Sequence, residues 1–372
     1  LRLSLKALRQ LLVAGEDKLP GLLIDDWPHY EFRGLSDDVS RYKISTRKHF
    51  DYQLANLARL KYNIYQPYIE DMIFLDRYPQ IGRGRGRLTR DDIDCLLEAG
   101  EKHGITIMPQ FNSLSHQEQT LGIPEYAHWR FEDNLENMDP RHPEVRDFLQ
   151  YMLEQMFELF PCEYFHLGLD ECRGITDYPD LFVSHTNWLA GIVKKAGRKP
   201  VIWHDMLDEC TYGFDYLAEL DRDIIIDVWA YAAATPKALA RMNTLRKAAE
   251  LGFRTILSPG LAASANGAQY HNTQWLLAQA QGLPNVLGGL VASWNDTTGE
   301  CGPVCGFMDI HAHWSAHAIS SELLWNGPDT ESNSDKLVES FSTHFYGLKW
   351  QDDHRIMKEC FDTCAQLRLL NL

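Results

Sequence analysis

Short runs rich in branched and aromatic residues alternate along the chain with longer segments whose apolar positions recur every three or four residues. The short runs read as strands and the longer ones as amphipathic helices, because side chains alternate sides along a strand but return to one helix face about every 3.6 positions. The pattern predicts eight strands, at 30–35, 63–69, 105–111, 164–169, 200–204, 224–230, 254–257 and 286–294. Helices are expected around 45–60, 89–103, 143–160, 180–196, 235–251, 270–281 and 309–325, while the fifth crossover, 207–222, is short. Runs such as Ile224-Ile225-Ile226-Asp227-Val228-Trp229 and Thr255-Ile256-Leu257 are nearly continuous in apolar character, as strands are when both faces of a parallel sheet are covered. Alternation of this kind builds a parallel sheet with crossover helices, and eight units favour closure into a barrel over an open sheet.

The expected architecture is therefore α/β: a (β/α)8 barrel over 29–326, preceded by a lead-in helix and linker at 1–28 and followed by a C-terminal helical cap at 327–372. A length of 372 residues at 45% hydrophobic content suffices for one large core. The net charge of -16 argues against nucleic acid or an anionic membrane as partner, since either would be bound against repulsion, whereas a neutral substrate is unaffected. No run approaches the roughly 20 apolar residues of a membrane helix, and no charged-then-apolar leader opens the chain. This favours a cytoplasmic location, although residue 1 already lies in an amphipathic stretch and leaves room for an earlier start. The eight cysteines, scattered through core elements, suit buried thiols better than a disulfide scaffold; Cys301-x3-Cys305 and Cys360-x3-Cys364 lack zinc-site spacing. The sequence calls for no cofactor and leaves the oligomeric state open.

In such barrels chemistry gathers where the strands end, and the residues there are unusually polar. Arg33, Asp37 and Asp38 mark the first strand; Glu70 and Asp71 the second; Gln110, Asn112 and His116 the third. His166, Asp170 and Glu171 mark the fourth, His204 and Asp205 the fifth, Trp229 and Tyr231 the sixth, Ser258 the seventh, and Trp294, Asn295, Asp296 and Glu300 the eighth. Carboxylates among aromatic rings suit a sugar hydrolase, whose transition state carries oxocarbenium charge and whose substrate has an apolar face to stack. No Gly-x-Gly-x-x-Gly at a strand-to-helix turn, Walker Gly-Lys-Ser/Thr or Gly-x-Ser-x-Gly elbow points to phosphate cradling or acyl transfer. The run Gly82-Arg83-Gly84-Arg85-Gly86-Arg87 reads as a solvated loop, or as a clamp for an anionic group.

The most informative segment is His166-Leu167-Gly168-Leu169-Asp170-Glu171, two acids closing an apolar strand. Alternation along a strand lets neighbouring acids reach different parts of one substrate. Burial beside an ionised Asp170 would keep Glu171 protonated, as a general acid must be. An isolated acid pair more often decorates a helix N-terminus, so the assignment depends on context.

That context is a resemblance running from Ile24 to Glu300. The sequence resembles the β-N-acetylhexosaminidases of glycoside hydrolase family 20, in their compact hexosaminidase D form. Arg33-Gly34 with Asp38 and Arg41 matches the family's first strand, and the segment ending Glu70-Asp71 its second. Pro109 to His116 is similar to Pro-Glu-x-Asp-x-x-Gly-His, and His166 to Glu171 matches His-x-Gly-x-Asp-Glu. The resemblance implies exo-hydrolysis of a terminal N-acetylglucosamine or N-acetylgalactosamine on a glycan or glycoconjugate. In this substrate-assisted retention the 2-acetamido oxygen attacks C1 to form an oxazolinium ion. It implies Glu171 as acid and base, and Asp170 orienting the acetamido N–H. It further implies Arg33 and Asp296 on sugar hydroxyls, Trp203, Trp229 and Trp294 as walls, and His116 with Asp71 and His166 in support. Gln110 and Asn112 stand where the family shows acids, Ser115 where it shows glycine, and the seventh strand lacks the family's Tyr-x-Asp; Tyr231 or Tyr270 is the available substitute. Alternatives are a carbohydrate-binding barrel with impaired catalysis, a glycosidase without acetamido assistance, and a metallohydrolase using His204-Asp205 or His311-x-His313. The last lacks the His-x-His expected at the first strand.

Overall fold

The computed structural model describes residues 8, 21, 23–41, 44–208, 216–231, 233–260, 269–294, 314–329, 339–348 and 355. Its eight strands are β1 (Phe32–Asp38), β2 (Ile64–Tyr68), β3 (Thr106–Ile107), β4 (Tyr164–His166), β5 (Lys199–Trp203), β6 (Ile225–Trp229), β7 (Arg254–Ser258) and β8 (Val286–Ser293). Neighbouring strands pair in parallel in the order β3-β2-β1-β8-β7-β6-β5-β4. The ring closes where β3 runs on as extended chain: Gln110 bridges to Tyr68 on one side and to His166 on the other. Beyond β3 the Gln110 amide donates to the Pro67 carbonyl at 3.0 Å, and the Phe111 amide to the His166 carbonyl at 3.1 Å. The expected third strand at 105–111 is thus regular over two residues only, because Pro109 has no N–H to give to a ladder. The fold is a (β/α)8 barrel.

The crossover helices are α1 (Arg47–Arg59), α2 (Arg90–His103), α3 (Pro143–Leu159), α4 (Pro179–Lys195), α5 (Pro236–Glu250), α6 (Gln269–Gln279) and α7 (Trp314–Asn326). Their starts are written locally. Proline opens α3, α4 and α5, where its missing N–H would have had no partner. Thr89 and Asp92 form a reciprocal capping box on α2, and Gly104 ends it in the left-handed conformation. Helix α3 buries Val145, Phe148, Leu149, Met152, Leu153 and Met156 toward the sheet, each such side chain stabilising the fold by about 1.5–3 kcal/mol. In the fifth crossover the described residues form only two short turns, Asp205–Leu207 and Leu217–Glu219. Beyond α7, the helical turn Ser342–Tyr346 packs by Phe345 on Trp314, while Arg59 donates to its carbonyls at His344 and Phe345.

Because all strands run the same way, the residues that follow them share one rim, and those that begin them share the opposite one. This direction decides which of the polar residues in the sequence can meet. No helix among the described residues is long and apolar enough to cross a membrane.

Candidate active site

Strand β4 is regular to His166; Leu167 and Gly168 still bond to β5 through the Val201 carbonyl and the Trp203 amide, and the chain then turns through a left-handed kink. Gly168 has φ +71°, Leu169 +70° and Glu171 +46°. Glycine is required at 168, since a Cβ there would lie 2.0 Å from Asn112 Oδ1. Leucine and glutamate in this region are strained by about 1–3 kcal/mol each, and such strain persists only where surroundings fix it. Glu70 and His116, in the loops that follow β2 and β3, are also left-handed, at +46° and +54°. Asp170 and Glu171 therefore reach the rim from a strained loop and not by strand alternation, as the sequence pattern suggested.

The two acids converge on one imidazole. His116 Nε2 lies 3.3 Å from Asp170 Oδ2 and 3.5 Å from Glu171 Oε2. Asp170 is 8% exposed, and Asn112 Nδ2 donates to its Oδ1 at 3.3 Å. Burial works to raise the Asp170 carboxyl, but the charge and hydrogen bond of His116 outweigh it and hold the group below its ordinary value. Burial also disfavours the His116 cation, yet Asp170 and then Glu70 push its pKa up to about 9. Glu171 differs: its side chain keeps 34% of its surface and lies 3.4 Å from Arg173. The burial expected for Glu171 is thus only partial among the described residues. The amide at Asn112, where the resemblance leads one to expect an acid, donates to Asp170 instead of competing with it for a proton.

Aromatic rings surround this pair. Trp203, fully buried, lies 4.5 Å from the His166 ring and 6.4 Å from Trp294. Trp294 packs edge-on to Tyr68, and its Nε1 donates to Tyr231 Oη at 2.9 Å. Tyr231 stacks on Trp229 at 4.8 Å in space left by Gly260, where a Cβ would meet the tyrosine ring. His166 is buried, with Nδ1 accepting from the Gly168 amide at 3.1 Å and Nε2 3.5 Å from Asp227. Tyr231, His166, Trp203, Trp229 and Trp294 thus lie with Asp170, Glu171 and His116 at one end of the barrel. Asp296, with Asn295, Glu300, Cys301, Cys305, His311, His313, Cys360 and Cys364, lies outside the described residues, as does the Tyr270 side chain.

Two expectations need correction. Arg33 stands at the start of β1, on the opposite rim; its guanidinium donates to the carbonyls of Tyr30, Glu31 and Lys61 and stacks on Trp325, and burial lowers its pKa to about 10. The arginine beside the acids is Arg41, just past β1, which meets Asp38 at 3.1 Å and Glu70 at 3.4 Å and lies over the Tyr68 and Trp294 rings. Strand direction was the available signal, because a residue at the start of a parallel strand cannot reach the rim where it ends. Asp71 likewise does not stand behind His116: it pairs with Arg85 of the glycine-arginine loop. Glu70 is the carboxylate whose charge reaches His116; burial raises its pKa, which Arg41 and His116 only partly offset, to about 7. Asp37 faces outward to Gln53 and Tyr65. Of the fifth-strand pair, His204 is buried with Nδ1 accepting from the Trp229 amide, while Asp205 accepts from the Glu171 amide, so the two do not offer a joint ligand set. Among the described residues the ligand group close enough to share an ion is His128, His142 and Glu144, which contains neither. Cys95, Cys162 and Cys172 are free thiols.

The profile of glycosyl hydrolase family 20, catalytic domain, matches residues 30–275. The chain is 23% identical to the beta-hexosaminidase subunit beta of Entamoeba histolytica, over 94% of this chain and 69% of that protein. It is 22% identical to the lacto-N-biosidase of Bifidobacterium bifidum over 79% of this chain, spanning only 28% of that relative. The beta-N-acetylhexosaminidase structure from Bacteroides fragilis superposes with a TM-score of 0.74 at 18% identity, covering 93% of this chain and 76% of that one. The corresponding Streptomyces coelicolor structure gives 0.70 at 20% identity, with the same coverage of 93% and 76%. At these identities the structural likeness establishes the barrel fold.

Proposed function

Since the chain belongs to glycosyl hydrolase family 20 and is thereby a glycoside hydrolase, we propose that it releases terminal N-acetylhexosamine from glycans or glycoconjugates by substrate-assisted retention. The observation that carries this reading is the contrast between two adjacent carboxylates sharing His116: Asp170 is buried and held ionised, while Glu171 is partly exposed. An ionised carboxylate fixed by Asn112 and His116 suits a partner that gains charge without giving up a proton. Asp170 accepts the acetamido N–H, aims the amide oxygen at C1 and stabilises the positive oxazolinium ion. As that oxygen bonds to C1 and the C1–O bond to the leaving group breaks, Glu171 delivers its proton to the departing oxygen. Glu171 then takes a proton from the water that attacks C1 as the bond from C1 to the acetamido oxygen breaks, which restores the acetamide and releases the sugar with its configuration retained.

Arg41, paired with Asp38 and Glu70, faces the sugar hydroxyls, with Asp296 a further candidate for the distal ones. Trp203, Trp229 and Trp294 line the acetamide and ring, and the Tyr231 hydroxyl, which accepts from Trp294 and keeps its own proton to donate, holds the acetamide oxygen. Residues 29–326 serve as the catalytic unit and 327–372 as its helical cap. A panel of aryl glycosides with and without the 2-acetamido group tests the reading. Turnover confined to the acetamido sugars is expected; comparable turnover of plain glucosides or galactosides would replace acetamido assistance with a double displacement.

A further inference from the structure

Asp205 is a wholly buried acid at the end of β5 that no step above uses, yet it touches two parts of the site. Its Oδ2 accepts the Glu171 backbone N–H at 2.8 Å, and its Oδ1 accepts the Trp229 indole N–H at 3.2 Å. We propose that Asp205 is a positioning residue that fixes the general acid and the aromatic wall relative to one another, so that the Glu171 carboxyl lies over the leaving-group oxygen of a sugar seated against Trp229. The inference rests on the function proposed above.

Three observations carry it. First, the Glu171 backbone is left-handed at φ +46°, a conformation glutamate does not hold unaided, and its N–H is the group that Asp205 grips. Second, the Glu171 side chain is weakly tethered, at 3.4 Å from Arg173 and 3.5 Å from His116, so the backbone sets the direction in which the carboxyl leaves the chain. Third, both groups pointing at Asp205 are donors, and only an ionised carboxylate offers an accepting oxygen to each. Asparagine, or a protonated aspartic acid, turns one donor against another. The site keeps this arrangement although burial, and after it the charge of Asp170, push the Asp205 carboxyl above the usual carboxylate range against the two hydrogen bonds that favour its charge.

A barrier that depends on where the acid points is felt only by leaving groups that need a proton. In Asp205→Asn, kcat for an alkyl or disaccharide N-acetylhexosaminide is expected to fall by about 100-fold, against less than about 5-fold for a dinitrophenyl glycoside, with KM within about 3-fold for both. Adding Trp229→Phe removes the indole donor, lets the asparagine oxygen serve Glu171 alone, and should bring the ratio of the two losses back toward that of Trp229→Phe by itself. Equal losses on both substrates, or a double variant no better than Asp205→Asn, would reduce Asp205 to a structural role and overturn the inference. Wild-type turnover is read in the same series: a wild type inert toward every N-acetylhexosaminide overturns the functional reading and this inference together, whereas an active wild type with equal losses overturns this inference alone.

Discussion

Asp170 and Glu171 are neighbours in sequence with the same functional group, and the contrast in their burial and partners comes from what surrounds them. Asn112 is the informative contact, because it donates to Asp170 and to Tyr68 Oη from a position where the resemblance led one to expect an acid. Asn112→Asp would put a second negative charge against Asp170 and raise its pKa, so the acidic limb of kcat/KM should move to higher pH by about one unit or more. An unchanged pH profile would mean that Asn112 does not govern the charge of Asp170. The residue types were legible from the chain, but their partners were not always: Arg33 and Arg41 belong to one motif, and only the sense of the strand separates the arginine at the sealed rim from the one beside the acids.

Most helices and strands lie near the positions the hydrophobic period predicts, and the starts of α1 to α5 are marked by a capping side chain or an opening proline. The loops were harder. The glycine-arginine run left two readings open, a solvated loop or an anion clamp, and its arginines bind the protein itself. Arg85 pairs with Asp71 and donates to the Ser40 carbonyl at 2.7 Å, and Arg87 donates to the Pro79 carbonyl and lies over Phe74. Arg85 therefore ties the loop after β2 to the chain beside Arg41. Arg85→Ala should free that segment and raise KM by roughly 3- to 10-fold while leaving kcat within about 2-fold, since a small misplacement of a binding group weakens contact without removing the chemistry. A KM equal to wild type would show that Arg41 keeps its place without the loop.

At the scale of the whole molecule, the rim collects groups whose protonation is altered by folding. His116 is raised from 6.5 to about 9, so the stability it contributes is full below 6.5 and is lost as pH rises through about 9. Glu70, raised from 4.5 to about 7, binds its proton more tightly folded than unfolded, so its contribution also declines as pH rises between those values; Asp205 shifts in the same direction. Asp170, lowered, acts only below its unfolded value of 3.8. Above pH 6.5 these signs agree, and rising negative charge on a chain already at -16 adds to them. Below 6.5 the buried His185 and His204, whose pKa values burial lowers, act with the opposite sign, since the folded state loses their protons. The melting temperature should therefore fall from about pH 6.5 to pH 9, and that fall should flatten in His116→Asn. A maximum near pH 8 would contradict these assignments.

What the sequence by itself determined is what depends on near neighbours in the chain: eight apolar strand runs, the helices between them with their caps, and the His166 to Glu171 segment as the place where chemistry concentrates. Those signals are local because backbone hydrogen bonding and side-chain period are local. Closure of the ring through Gln110, the exchange of Arg33 for Arg41 and of Asp71 for Glu70, the left-handed path of the acid loop, and the grip of Asp205 on Glu171 were decided by the tertiary structure alone. Most of these join residues far apart in the chain, and whether such residues meet is set by barrel register and packing, which no local pattern records.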